Sequence, residues 1–201
     1  TTCFLQDGDA FVLRTEFLIQ ILDGIHKYLP NIKHVTTYAR ADSIARKSVS
    51  ELRELKAAGI EHLYCGMETG SDLILRKINK GFDAATIIIG GTKAKEAGMV
   101  LSEFTLFGIG GKELAEENAV ETAKVLNVIK PDFIRVHATG IKLSSEMWNY
   151  VKNKELTLQS EEEIVSEQKI MLELLADDTD CIYMNEHIVN LLLEVRGNIR
   201  T

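Results

Sequence analysis

The chain has little of the residues that announce chemistry most directly. It holds only three cysteines, Cys3, Cys65 and Cys181. An odd number, widely spaced, makes neither a disulfide framework nor a metal box with Cys-x-x-Cys spacing, so all three read as reduced and most as packing residues. Prolines number two, and each reads as a stop, Pro30 after one helical pattern and Pro131 after another. No apolar run approaches the ~20 residues of a membrane helix, and the first residues lack the charged and apolar regions of a signal peptide. The chain reads as soluble and cytoplasmic. Basic residues are the minority charge, 23 Lys and Arg against 30 Asp and Glu, for a net charge of -7. That balance disfavours a nucleic-acid groove as the main surface, which needs clustered Lys and Arg, although it leaves room for a local basic site.

What is present is a core. Apolar residues make up 45% of 201, and a chain of this length buries roughly 70% of its extended surface, so one main domain is expected. The stretch 61–81, EHLYCGMETGSDLILRKINKG, organises the reading. An apolar run over 62–67 ends in the carboxylate of Glu68. A Thr-Gly-Ser-Asp corner follows, then a segment with Leu73, Ile74 and Ile78 at helical spacing. This is a strand handing over to a helix, with Ser71 or Asp72 as N-cap.

The same unit recurs. Residues 3–6 read as a strand ended by Asp7-Gly8-Asp9, followed from Thr15 by a helix with Phe17, Leu18, Ile21, Leu22 and Ile25 on one face. Residues 34–38 read as a β-branched and aromatic strand, ended by Ala39-Arg40-Ala41-Asp42 and followed by a helix over 49–58 with Gly59 as its C-cap. After the central stretch come a helix over 84–97 capped by Asp83 and closed by Gly98, and a strand over 99–107 interrupted by Ser102 and Glu103. The run Gly108-Ile109-Gly110-Gly111-Lys112-Glu113 then leads into a helix over 114–129 with Leu114, Val120, Ala123 and Leu126 as its buried stripe. Residues 133–136 make a fifth strand, ending in His137-Ala138-Thr139-Gly140. A strand and helix alternating every ~30–40 residues produce a parallel sheet with helical crossovers. Residues 1–140 are therefore expected to form a partial β/α barrel or doubly wound sheet. Residues 141–201 are expected to form a mostly helical extension packed on it, with a helix over 160–176 opened by a Ser160/Glu163 capping box, a short strand over 182–184 and a last helix over 187–195.

Glycines, carboxylates and bases gather at the C-terminal ends of these strands, the edge where barrels and wound sheets hold ligands. Taken singly, each group has a plain reading beside the functional one. Asp7-Gly8-Asp9 is a turn, or a pair of carboxylates for an ammonium group with Gly8 permitting close approach. Arg40 with Asp42 is a surface ion pair, or Arg40 grips a carboxylate. Glu68 suits ribose hydroxyls or an amine. Gly108 to Glu113 lacks the G-x-x-x-x-G-K-[ST] of a phosphate loop, and Glu113 stands where G-x-G-x-x-G needs glycine. Its glycines mean either a flat group against the backbone or a sharp turn. His26, His34 and His62 read as structural, whereas His137 sits on the ligand edge.

Together, GMETGSDLILRKINKG and FLQDGDAFVL resemble the radical S-adenosylmethionine (SAM) enzymes, in their fourth-strand ending and second-strand ending respectively. Leu106 to Glu113 resembles the fifth-strand motif, with GIGGKE in place of the usual G-L-P-G-E, and HATG the sixth-strand end. MNEHIVNLLLEVRGNI is similar to the tail of oxygen-independent coproporphyrinogen-oxidase-like and Elp3-like relatives, and biotin-synthase-like enzymes share the pattern. The resemblance implies a TIM-like barrel of radical SAM type, in which Asp7, Gly8 and Asp9 take the methionine amino group. It places Glu68, Thr69 and Ser71 at the ribose and carboxylate, Gly108, Ile109, Gly110 and His137 near adenine, and Arg40 at a substrate or carboxylate.

It further implies a [4Fe-4S] cluster, a flavodoxin- or ferredoxin-type electron donor and reductive cleavage of SAM to a 5'-deoxyadenosyl radical that acts on a small or unknown substrate. The family's Cys-x-x-x-Cys-x-x-Cys is nowhere in the sequence. Since residues 3–5 already look like a strand after a first residue that is not Met, the expectation is a fragment without its first β-α unit, inactive alone. Such a fragment would be prone to self-association through an exposed strand edge. A conventional barrel lyase or isomerase with Glu68 as base, and a non-catalytic barrel used for binding, remain alternatives.

Overall fold

The computed structural model describes residues 1–187, 190 and 195–199. Its architecture is α/β, with mostly parallel strands joined by helices. The chain divides into two compact units, one of Thr1–Met67 with Ala85–Glu103, the other of Glu68–Ala84 with Phe104–Thr201.

In the first unit β1 (Thr2–Leu5), β2 (His34–Ala39) and β3 (Ile60–Glu68) lie in chain order and parallel. Phe4 lies opposite Thr36 and Thr37 opposite Leu63, with one irregularity at Val35/Thr36. Parallel neighbours cannot be joined by a tight turn, so each link is a helical crossover. The first is α1 (Thr15–Tyr28), the second α2 (Ala41–Arg46) followed by α3 (Val49–Ala57). Ser48 and Glu51 close a reciprocal capping box at the start of α3, and Gly59 reverses the chain after it at φ +113°. Later in this unit comes α5 (Ala84–Glu96).

Leu18, Leu22, Val35, Leu52, Leu55, Ile60 and Leu63 form the core of this unit. Only Leu18 and Leu22 of the apolar face expected on α1 are fully buried, while Phe17 and Ile21 are exposed. That face is narrower than its apolar composition implies. His62 Nε2 lies 2.8 Å from Ser102 Oγ, and His34 Nδ1 lies 2.7 Å from the Glu61 carboxylate.

The second unit contains α4 (Asp72–Lys77), α6 (Ala115–Ile129), β5 (Phe133–Ala138), α7 (Glu146–Lys152), α8 (Glu161–Glu173), β6 (Ile182–Asn185) and β7 (Val195–Asn198). β4 (Val100–Phe107) leads into it. β6 is parallel to β5, and β7 returns antiparallel to β6. Here α6 packs on α8, whose Ser160/Glu163 capping box forms as expected.

Three expectations are corrected. Leu73 is exposed and the buried pair of α4 is Ile74 and Leu75, since a helix of only six residues turns a single narrow side to the core. The buried side of α6 carries Asn118, Ala119, Thr122, Ala123 and Leu126, whereas Leu114 and Val120 are only half-buried. Two polar residues thus occupy positions that an apolar periodicity passes over. Finally, the helix expected over 187–195 falls mostly outside the described residues, and its expected last residue, Val195, opens the strand β7 instead. Among the described residues no helix is long and apolar enough to cross a membrane.

Candidate functional site

At the strand ends of the first unit, Asp9 faces α2. Its carboxylate accepts the Arg40 backbone N–H at 3.2 Å through one oxygen and the Ser43 hydroxyl through the other. Arg40 is the N-cap residue of α2 and provides no side-chain cap. Asp9, far away in sequence, fills that role, since the first amides of a helix need acceptors. The Arg40 guanidinium instead donates to Asp42 at 3.0 Å, and Asp42 also holds Arg46 at 2.9 Å. Asp7 is exposed with φ +82° and accepts the Gly8 amide at 3.1 Å. A Cβ on Gly8 would meet nothing within 4 Å. Of the three motif residues in this turn, then, Asp9 has a built-in structural task and Asp7 and Gly8 face outward.

The corner after β3 opens the second unit. Glu68 adopts φ +65°, a left-handed backbone that costs a non-glycine residue roughly 1–3 kcal/mol and gathers at ligand sites. Its carboxylate accepts from the Lys80 ammonium at 2.8 Å. Thr69 and Ser71 are fully buried. The Thr69 hydroxyl accepts the Ser71 amide at 2.9 Å, and the Ser71 hydroxyl donates to Glu117 while accepting the Ile74 amide at 3.3 Å. Gly70 lies against the backbone of α6, where a Cβ would stand 2.2 Å from the Glu121 carbonyl oxygen. Thr69 to Ser71 therefore lock the corner onto α6, and Glu68 is the member left facing the strand-end edge.

The turn after β4 is walled in by its own chain. Gly108 has φ +84° and its Cβ position lies against Ile164 of α8, while that of Gly110 is taken by Leu114 and Ile74. Ile109 is buried. The Lys112 amide donates to Thr157 at 2.9 Å, and the Glu113 carboxylate accepts the Thr157 amide. Of the two readings of these glycines, the sharp turn is the one the structure supports.

The end of β4 is tied to that of β5 by the Thr139 amide, which donates to the Phe107 carbonyl at 2.8 Å. His137, in the last part of β5, stacks near His187 with ring centroids 4.2 Å apart and near Phe104 at 5.2 Å. Burial holds the His137 pKa below its ordinary value, helped by His187 and Arg135, while the Glu68 carboxylate pulls the other way. Glu68, the Gly108 turn and His137 thus share one edge of this unit. Among the described residues, the Thr139 hydroxyl oxygen and the Gln159 side-chain carbonyl are buried there without a hydrogen-bond partner.

Sequence reasoning missed Glu167. It comes from α8, is 1% exposed, and accepts the Gly108 amide at 2.9 Å, Asn118 Nδ2 at 2.6 Å and Gln159 Nε2 at 2.9 Å. Burial pushes its pKa up, against the pull of those three donors. On a helix otherwise rich in exposed carboxylates, its phase beside Met171 was the only available signal.

The heme chaperone HemW of Bacillus subtilis is 24% identical to this chain over 173 residues, which is 85% of the chain and 45% of HemW. Among solved structures, coproporphyrinogen III oxidase (HemN) from Escherichia coli, described as a radical SAM enzyme, superposes with TM-score 0.62 at 14% identity, covering 86% of this chain and 38% of HemN. The fold is thus one that a radical SAM enzyme also has, and the sequence likeness is to a heme chaperone. Elp3 of the archaeon Methanocaldococcus infernus superposes with TM-score 0.65 at 15% identity, over 87% of this chain and 45% of Elp3. No family model matches the chain. The chain thus spans less than half the length of these relatives.

The resemblance to radical SAM enzymes implies a [4Fe-4S] cluster, and the residues present do not fit one. Cys65 and Cys181 are buried and Cys3 half-buried, none with cluster spacing. Among the described residues no group of three or more His, Cys, Asp or Glu could hold a metal ion.

Proposed function

We propose that this chain is a SAM-binding part of a radical SAM enzyme. The observation that carries this reading is Glu68, a carboxylate held at a strained left-handed position at the tip of β3, on the edge it shares with His137 and the Gly108 turn. A carboxylate so placed accepts hydrogen bonds from ribose hydroxyls. The unpartnered oxygens of Thr139 and Gln159 supply further acceptors for an adenine amine. Thr69 and Ser71 act by holding the corner rather than by touching ligand.

The whole protein is proposed to cleave SAM reductively, with an iron-sulfur cluster held by cysteines other than those in this sequence and an external one-electron donor. These residues alone bind and orient the cofactor, the protein's usual share in cofactor chemistry. A cytoplasmic setting suits that chemistry, which requires reduced thiols.

Titration calorimetry of the chain with SAM tests the reading. Binding by the wild type, weakened about tenfold or more in Glu68→Ala, supports it, that factor corresponding to the loss of about one good hydrogen bond. Absence of binding by the wild type overturns it.

A further inference from the structure

The polar groups buried between α6, α8 and the strand ends form a chain in which every direction of donation is determined. The Gly70 amide donates to Thr122 Oγ1 at 3.0 Å. The Thr122 hydroxyl donates to Asn118 Oδ1 at 3.5 Å, an amide oxygen that can only accept. Asn118 must then present its amide nitrogen on the other side, where it donates to the Leu106 carbonyl at 3.0 Å and to Glu167 Oε1 at 2.6 Å. Glu167 receives only donors, since the Gly108 amide and Gln159 Nε2 both point at Oε2. An ionised carboxylate is the side chain that accepts from all sides and donates to none. Asn118 and Glu167 are each 1% exposed, so water cannot replace a missing partner.

This chain joins the two turns that frame the candidate site. One end is Gly70, in the corner that carries Glu68, and the other is Gly108, in the turn after β4. We propose that Glu167 is a positioning residue for the cofactor edge, its carboxylate fixing the polarity of a hydrogen-bond chain through Asn118 and Thr122 that sets the Gly108 turn and the Gly70 corner in one register. The consequence for function rests on the SAM reading above, whereas the coupling of the two turns does not. Glu167 lies on α8, outside the stretches whose motifs carry the resemblance, so the C-terminal segment takes part in shaping the site without touching the ligand.

Glu167→Gln keeps the shape and swaps one acceptor oxygen for a donor. Whichever way the new amide turns, a donor faces either Asn118 Nδ2 or the Gly108 and Gln159 pair. Asn118 cannot rotate to compensate without breaking its bonds to Thr122 and Leu106. Amide hydrogen exchange read at Gly108 and at Gly70 should accelerate in Glu167→Gln, and SAM affinity should fall by about tenfold or more. Thr122→Val, which cuts the chain at its middle, should accelerate Gly70 and leave Gly108 protected. Asn118→Asp combined with Glu167→Gln lets the new amide donate to the new carboxylate, and leaves the Leu106 carbonyl as the one group that loses its donor. Protection at Gly108 in the double variant should therefore exceed that in Glu167→Gln alone, a rescue that mere loss of packing would not give.

Unchanged exchange at Gly70 in Glu167→Gln overturns the proposal, as does a double variant no better than the single one. Should the wild type fail to bind SAM, the functional reading falls while the exchange data still decide the coupling.

Discussion

The Lys80 ammonium lies 2.8 Å from the Glu68 carboxylate, with the two side chains 14% and 21% exposed. A contact this sheltered is a charge-assisted hydrogen bond rather than a screened surface pair. Lys80→Met should lower stability by about 1.5–3 kcal/mol, the range for hydrogen bonds to charged groups. Urea unfolding measures it, and an unchanged midpoint would show that the contact carries no stability. Glu68→Gln added to Lys80→Met should recover part of the loss.

Asp7 and Asp9 are separated by their surroundings. Asp9 accepts from Arg40 and Ser43 at the start of α2, so Asp9→Ala should destabilise the fold by about 1–2 kcal/mol, as losing a helix cap does. Asp7 is exposed, and Asp7→Ala should stay within about 0.5 kcal/mol of wild type. Thermal unfolding of both variants distinguishes a structural carboxylate from one kept for ligand, and equal losses would contradict this division.

Gly70 and Gly8 offer a similar contrast. A Cβ at residue 70 would overlap the Glu121 carbonyl at 2.2 Å, whereas one at residue 8 meets open space. Gly70→Ala should cost about 1–3 kcal/mol or more, because α6 backbone must move. Gly8→Ala should be nearly silent. A soluble, fully stable Gly70→Ala protein would mean that the corner and α6 are not in the contact described.

His137 gives the folded chain a pH dependence. Burial, His187 and Arg135 lower its pKa below the ordinary 6.5, and Glu68 opposes them. Between the lowered value and 6.5, the unfolded chain binds the proton that the folded chain refuses, so stability rises with pH through that window. The contribution is complete above 6.5 and is lost as pH falls through the folded pKa. His137→Phe, an aromatic of similar bulk beside Phe104, removes the effect. Its stability relative to wild type should therefore improve on going from about pH 7.5 to about pH 5.5, as chemical denaturation at each pH would reveal. A constant difference across that range would show that His137 titrates normally.

The alternation of strand and helix was legible because each element carries its own signal. The Ser48 and Ser160 caps, the Gly59 reversal and the β-branched run of β2 all act within a few residues. The helix α2 was not legible, since its cap is Asp9, 31 residues from Arg40 in sequence. Nor was the buried side of α6, where Asn118 and Thr122 take core positions for partners supplied by Glu167 and Gly70. The candidate site divided in the same way. Glu68 could be found as a carboxylate ending an apolar strand, but the partners that occupy Asp9, Ser71 and Gly108 are long-range and left no local pattern.

Gly90 of α5 sits where a side chain would press to 2.6 Å from the Ala41 carbonyl, and Lys93, one turn on, donates to the carbonyls of Ala45 and Lys47. The short helix after β2 is thereby bolted at both ends to a much longer one. The stretch of chain bearing Arg40, Asp42 and Ser43 behaves as a rigid bracket instead of a swinging arm. Any molecule received at that strand end meets these groups already aimed, with the entropy of arranging them spent during folding.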